Sequence, residues 1–166
     1  DPDAGAEEDE DPRAELARRL AAQGTEVDIF TRATSSALEP VVEAHDGVRV
    51  RHIHAGPFEG LTKTELPGQL CVFAREVLRT EAAQPRGHYD AVHSHYWLSG
   101  YAGLEMSRKW GVPHVTTFHT LAKIKMEARA GERESQLRVY AESRVMEGAD
   151  AVVVSTRDEK EDLARL

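Results

Sequence analysis

Apolar and polar positions along the chain change their period repeatedly, and each change marks an element. From Arg13 to Gln23 the residues Ala14, Leu16, Ala17, Leu20 and Ala21 fall on one helical face, and Gly24 ends the run. Val27-Asp-Ile-Phe-Thr31 is β-rich and alternates weakly, which predicts a strand. Val48-Arg-Val-Arg-His-Ile-His54 alternates apolar and basic residues, the pattern of a half-exposed strand. A turn-rich loop, Ala55–Gly60, leads to a helix predicted over Leu66 to about Glu81, with Leu70, Phe73, Ala74, Val77 and Leu78 on one face. Pro85-Arg-Gly87 breaks that helix. The pattern then predicts a strand at Tyr89–His93, a helix from about Trp97 to Trp110, and a strand at His114–Thr117 after the turn Gly111-Val-Pro113. A helix over Glu132–Glu147 follows. Ala149–Ser155 reads as a near-continuous apolar strand suited to burial on both faces. Ser155 or Thr156 is placed to cap a last helix containing Glu159–Leu163. Strands alternating with helices predict an α/β fold with a mostly parallel, doubly wound sheet.

Composition narrows the class. At 166 residues, 40% apolar and 30% charged, the chain reads as one soluble globular domain. No apolar run reaches membrane-spanning length, and no secretory h-region is present. The first residue is Asp1, as expected of a trimmed or processed piece. Cys71 is the single cysteine, which excludes an internal disulfide framework. It is expected to act as a small buried hydrophobe, and a cytoplasmic setting is expected. The net charge of -8 is unevenly spread. Seven of the 29 acids lie in residues 1–12, so the other 22 meet 21 bases. Residues 1–11 are therefore expected to form a disordered acidic tail ahead of a domain over 12–166. The balanced remainder has no basic stripe, which disfavours a nucleic-acid partner.

Two polar clusters carry the candidate chemistry. His93-Ser-His-Tyr-Trp-Leu-Ser-Gly100 and Thr116-Thr-Phe-His-Thr120 each sit where an apolar strand runs out. In an open α/β sheet that edge is where ligands bind, so the two clusters point to one polar, sugar-like ligand. His93 and His95 lie two apart and face alike on a strand, as do His52 and His54. A zinc site is the weaker reading, because no acidic or cysteine ligand stands at a diagnostic spacing. Trp97 is expected to pack beneath the following helix, and Tyr96 to offer its hydroxyl to a ligand. His119 reads equally as a loop histidine or a ligand contact, and Thr120 as an N-cap or a ligand contact. Lys63, in a loop, and Arg138, inside a helix, are the kind of pair that a phosphate needs. Spacing alone leaves open whether they converge. No Walker loop, G-x-G-x-x-G or G-x-S-x-G occurs.

Four segments together resemble a known family. They are Glu26–Thr34, Ala55–Pro67, His93–Gly100 and Phe118–Ala122. They are similar to the amino-terminal, acceptor-binding half of retaining GT-B glycosyltransferases. The likeness is strongest to the actinobacterial members that glycosylate inositol phosphate in mycothiol biosynthesis, and it extends to sucrose-phosphate-synthase-like relatives. It covers residues 13–166. It implies a Rossmann-like domain that faces a second, donor-binding domain across a cleft. By motif match, Lys63, Tyr96, Thr120 and Arg138 fall on positions that hold the acceptor's phosphate. His119 falls on the histidine lining the reacting centre. The implied reaction transfers N-acetylglucosamine from UDP-N-acetylglucosamine to inositol phosphate with retention and without a metal. The family also allows a homodimer of the full-length protein.

The departures shape further expectations. The family's first strand and its Gly-Gly-Met-Asn loop have no counterpart here, and neither does the donor domain. No cofactor is therefore expected in this chain, and alone it is expected to be inactive. A non-catalytic sugar-phosphate-binding module and a non-functional remnant are the alternatives. In a doubly wound sheet the missing strand is central. Its loss is expected to leave the strands at 27–31 and 90–94 without their shared neighbour, so that the piece alone is marginally stable or those strands close up or leave a gap.

Overall fold

In the computed structural model, residues 11–128 and 134–165 are described. The chain divides into two compact units, Asp1–Leu61 and Thr62–Leu166. Most of the predicted acidic tail, residues 1–10, lies outside the described residues.

The first unit opens with α1, Pro12–Ala22. Asp11 belongs to this helix rather than to a tail: its carboxylate caps the first turn by accepting from the Arg13 N–H at 3.0 Å. Pro12 takes the first helical position, where a missing N–H costs nothing. Strands β1 (Val27–Arg32), β2 (Val41–His45) and β3 (Val48–Ile53) form a sheet of order β1-β3-β2. β1 and β3 run parallel, and β2 is antiparallel to β3. The sequence pattern does not announce β2, because every one of its residues is exposed and no buried face imposes a period. The basic face of β3 is less open than its alternation predicts. Arg49 and Arg51 bend onto Asp28 of β1, each through Nε at 2.7 Å.

In the second unit a 3-10 turn, Leu66–Gln69, runs into α2, Leu70–Ala82. Cys71 is exposed on this helix, not buried as expected, because the apolar face at Val77 turns the other way. Strands β4 (Val92–His95), β5 (His114–Thr117) and β6 (Ala151–Val152) make an all-parallel sheet of order β4-β5-β6. Helix α3 (Tyr96–Trp110) links β4 to β5. Helices α4 (Ala122–Ala128) and α5 (Gln136–Gly148) lie between β5 and β6, and α6 (Arg157–Arg165) ends the fold. Residues 132 and 133 of the helix predicted over Glu132–Glu147 lie outside the described residues. Buried Phe118, Leu121 and Val145 form a core cluster with Leu104, Ile124, Met146 and Leu163 around it. Close approach replaces side chains on α3. A Cβ on Gly100 would stand 2.9 Å from Val145 Cγ1, and one on Gly103 would stand 2.6 Å from His114 Nε2.

Three predicted elements shift. The strand expected at Tyr89–His93 begins at Val92, since the Tyr89 ring instead packs on Trp110 with centroids 4.9 Å apart. The apolar run at 149–155 supplies only the short edge strand β6. Val152 and Val153 are exposed rather than buried, because β5 flanks β6 on one side alone. The last helix starts as expected, with Thr156 Oγ1 accepting from the Glu159 N–H at 3.1 Å. The six strands thus fall into two sheets. Among the described residues β1 and β4 each have a strand partner on one side only.

Candidate functional site

The site builds from the carboxyl ends of β4 and β5, which the parallel register brings to one edge with His95 opposite Thr117. Both chains leave that edge sharply. Tyr96 has φ 74° and His119 has φ 63°, and among the described residues they are the non-glycine residues with left-handed backbone. Each such residue stores about 1–3 kcal/mol of strain, and such strain collects at ligand sites. At Tyr96 the strand passes into α3 with no intervening loop, and no side chain caps the helix N-terminus. That helix N-terminus begins at the sheet edge, a favourable setting for an anion.

Three histidines form a ladder along the edge. The His93 and His95 rings stack at 4.4 Å, and His95 and His119 stack at 5.3 Å. His95 Nδ1 and His119 Nε2 share a hydrogen bond of 3.1 Å, while His93 Nε2 bonds Thr117 Oγ1 at 3.0 Å. Partial burial of its ring, and then repulsion by His119, hold the His93 imidazole below its ordinary pKa. The zinc reading gains no ligand set: among the described residues no group of three or more His, Cys, Asp or Glu side chains is arranged to hold a metal. His52 Nδ1 meets the Glu39 carbonyl oxygen at 2.6 Å, and the His54 ring lies tilted against Phe58 with centroids 4.7 Å apart.

Beneath the ladder lies a buried polar layer. Ser94 Oγ donates to Thr116 Oγ1 at 3.1 Å and meets His114 Nε2 at 2.8 Å. Since Ser94 spends its proton on Thr116, Nε2–H of His114 is the donor to Ser94. The other ring nitrogen, Nδ1, is buried without a partner among the described residues. Burial lowers the pKa of this imidazole, against the pull of Asp150.

The acceptor-site residues that sequence reasoning named come together in part. The guanidinium carbon of Arg138 sits 5.1 Å from the Tyr96 ring centroid, a cation–π contact. Arg138 Nη2 donates to the Thr120 carbonyl oxygen at 2.9 Å. The Thr120 hydroxyl donates to the His119 carbonyl at 2.8 Å, so it does not cap α4. Trp97 is buried as expected, and Tyr96 is 40% exposed. Lys63 is exposed in the loop before the 3-10 turn and makes no hydrogen bond or ion pair with these groups.

Sequence reasoning missed the carboxylates around Arg138. Glu142 Oε1 accepts from Arg138 Nε at 2.7 Å, and its Oε2 accepts from the Ala122 N–H at 2.8 Å, pinning α4 to α5. Glu134 Oε2 lies 3.2 Å from Arg138 Nη1, while its Oε1 accepts from Lys125 Nζ at 2.7 Å. Burial pushes the Glu142 carboxyl above its ordinary value, more than its bonds from Ala122 and Arg138 pull it down. Glu134 is held low, chiefly by its hydrogen bond from Lys125. Burial works against the Arg138 charge, but the bond to Glu142 and the nearby acids outweigh it and raise its pKa. The i−4 and i+4 spacing of Glu134 and Glu142 about Arg138 was the available signal.

An all-parallel sheet with helices between its strands and polar residues at its carboxyl edge is the architecture of a Rossmann-like domain. The comparisons sharpen this. The glycosyl transferase 4-like domain family matches residues 13–166, and the chain belongs to that family. It is 64% identical over 154 residues to a D-inositol 3-phosphate glycosyltransferase from Nocardioides sp., covering 92% of this chain and 34% of that protein. A protein of the same description from Xylanimonas cellulosilytica is 56% identical over 154 residues, covering 92% and 37%. The chain therefore spans about a third of the length of these relatives. The fold also matches a sucrose-phosphate synthase from Thermosynechococcus elongatus, with TM-score 0.84 and 28% identity over 93% of this chain and 38% of that one. The fold is that of an amino-terminal Rossmann-like half of a GT-B glycosyltransferase. Among the described residues no helix is long and apolar enough to cross a membrane.

Proposed function

We propose that this chain is the acceptor-binding domain of a glycosyltransferase that moves N-acetylglucosamine from UDP-N-acetylglucosamine to inositol phosphate with retention. The observation that carries the reading is the meeting of Tyr96, Thr120 and Arg138 at two left-handed strand ends. In this reading Arg138 and Lys63 supply charge to the acceptor's phosphate, and the Tyr96 and Thr120 hydroxyls add hydrogen bonds. His119, already hydrogen-bonded to His95, lines the reacting centre. There the acceptor hydroxyl forms the new bond to the anomeric carbon, and the bond from that carbon to UDP breaks. The 34–37% share of the relatives covered by the chain fits a domain that needs a donor-binding partner for turnover.

Calorimetry on the purified chain tests the reading. D-inositol 3-phosphate is expected to bind, and an Arg138→Met variant that circular dichroism shows to be folded is expected to lose that binding. Equal binding by Arg138→Met would remove the assigned site. Turnover of UDP-N-acetylglucosamine by the 166 residues alone would overturn the expectation that they are catalytically incomplete.

A further inference from the structure

Every nitrogen of the Arg138 guanidinium is already engaged. Nε is held by Glu142, Nη2 by the Thr120 carbonyl and Nη1 by Glu134. Three of its five N–H donors are thus used, one on each nitrogen, so a phosphate that grips the fork with two oxygens competes with a partner already there. Glu142 is not that partner. Its side chain is 4% exposed and also holds the Ala122 backbone N–H. Releasing it would strand a buried cation and a buried donor. The Thr120 carbonyl is fixed by the backbone of the turn. Glu134 differs on each count. Its side chain is 17% exposed, its contact to Arg138 is the longest of the three at 3.2 Å, and it precedes Ser135, the N-cap of α5. It is therefore anchored outside the helix and can swing away without breaking a helical hydrogen bond.

Glu134 does more than occupy one nitrogen. Its two oxygens bridge two cations, Oε2 to Arg138 Nη1 and Oε1 to Lys125 Nζ. One carboxylate held between a guanidinium and an ammonium has the charge and oxygen spacing of a phosphate edge. We propose that the Glu134 carboxylate is a placeholder for the ligand's phosphate, and that Lys125, which Glu134 links to Arg138, is a further phosphate-binding residue. This rests on the acceptor-site reading of Arg138 given above. The ligand chemistry is a phosphate monoester dianion, because it must outbid a monoanionic carboxylate for the same pair of cations. Glu134 thereby also sets specificity: a neutral polyol gains nothing by displacing it and leaves the pair closed.

Calorimetry on the whole chain with D-inositol 3-phosphate, and with uncharged inositol as control, decides the matter. Glu134→Gln keeps the side-chain shape and removes the competing charge. It is expected to tighten D-inositol 3-phosphate binding roughly tenfold, the scale set by losing two partly exposed ion pairs in the free state. Uncharged inositol is expected to show no such gain. Adding Lys125→Gln to Glu134→Gln is expected to return the affinity to wild-type level or below. Should wild type bind and a folded Glu134→Gln bind equally or more weakly, the placeholder falls while the acceptor-site reading stands. Should neither bind, both fall together. If Glu134→Gln does not fold, carbon-13 NMR of the wild-type Glu134 carboxyl decides instead. Its depressed titration is expected to move back toward the ordinary value when D-inositol 3-phosphate saturates the site, and an unmoved titration overturns the proposal.

Discussion

Each unit buries one charged side chain between two of opposite sign, and the two arrangements are charge mirror images. In the first, the Asp28 carboxylate, 1% exposed, lies between Arg49 and Arg51. In the second, Arg138, 7% exposed, lies between Glu134 and Glu142. The backbone treats them differently. Asp28 and Arg49 are register partners on adjacent parallel strands, so the β1–β3 ladder fixes the first cluster. Its outer charges also have exits. Arg49 is 36% exposed and bonds Glu26 at 2.9 Å. The second cluster hangs on a single helix plus the turn after β5, and its outer groups tie α4, α5 and Thr120 together. A buried charge held by a ladder serves the ladder. A buried charge held partly by a residue ahead of a helix cap has one partner that can be exchanged.

Removing one buried carboxylate from each unit should expose this difference. Glu142→Ala leaves the Arg138 charge and the Ala122 N–H buried without it, and is expected to cost about 3–5 kcal/mol in urea unfolding. Asp28→Asn is expected to cost less, about 1–2 kcal/mol, because Arg49 keeps Glu26 and solvent. The reverse order would show that the strand cluster, not the helix cluster, is the tightly desolvated one. Next in size is Gly103→Ala, which sets a Cβ 2.6 Å from His114 Nε2 and should cost about 1–3 kcal/mol by overpacking. Since His114 bonds Ser94 at the floor of the site, this change should also blunt D-inositol 3-phosphate binding. A melt within a degree of wild type would show that α3 can move off β5 freely.

Much of this was legible in the chain, and the illegible parts have physical causes. The strand at His114–Thr117 is read correctly to the residue, because Pro113 and the turn residue Gly111 bound a β-branched run. The two polar strand ends are likewise legible, since parallel strands separated by a helix place their carboxyl ends on one edge. β2 is not, as a strand exposed throughout carries no burial period. Ala149–Ser155 misleads because an apolar run looks the same whether neighbours flank it on one side or two. At the site, the resemblance names Thr120 as a hydroxyl donor, yet Arg138 takes its carbonyl oxygen, which every residue type offers. Nor does sequence mark Tyr96 and His119 as left-handed, for neither is glycine. The acids four residues on either side of Arg138 were in plain view, but that spacing is also what a solvated helix face shows.

The smallest expected effect separates the two carboxylates of the second cluster by acid titration. Burial raises the pKa of Glu142, while the Lys125 bond lowers that of Glu134, each from an ordinary value of 4.5. Carbon-13 NMR should therefore show Glu142 taking up its proton first as the pH falls, and Glu134 last. The stability signs are opposite. Glu134, depressed in the folded chain, contributes stability above its unfolded pKa and loses it as pH falls through its folded one. Glu142, raised in the folded chain, contributes fully below the unfolded pKa and loses that contribution as pH rises through the folded one. The two contributions partly cancel, so Glu134→Gln should steepen the gain in stability on mild acidification, because only the Glu142 term remains. Equal titration of the two carboxyls would mean that Glu134 and Glu142 share one environment. The exchangeable partner of Arg138 would then have no distinct place in the structure.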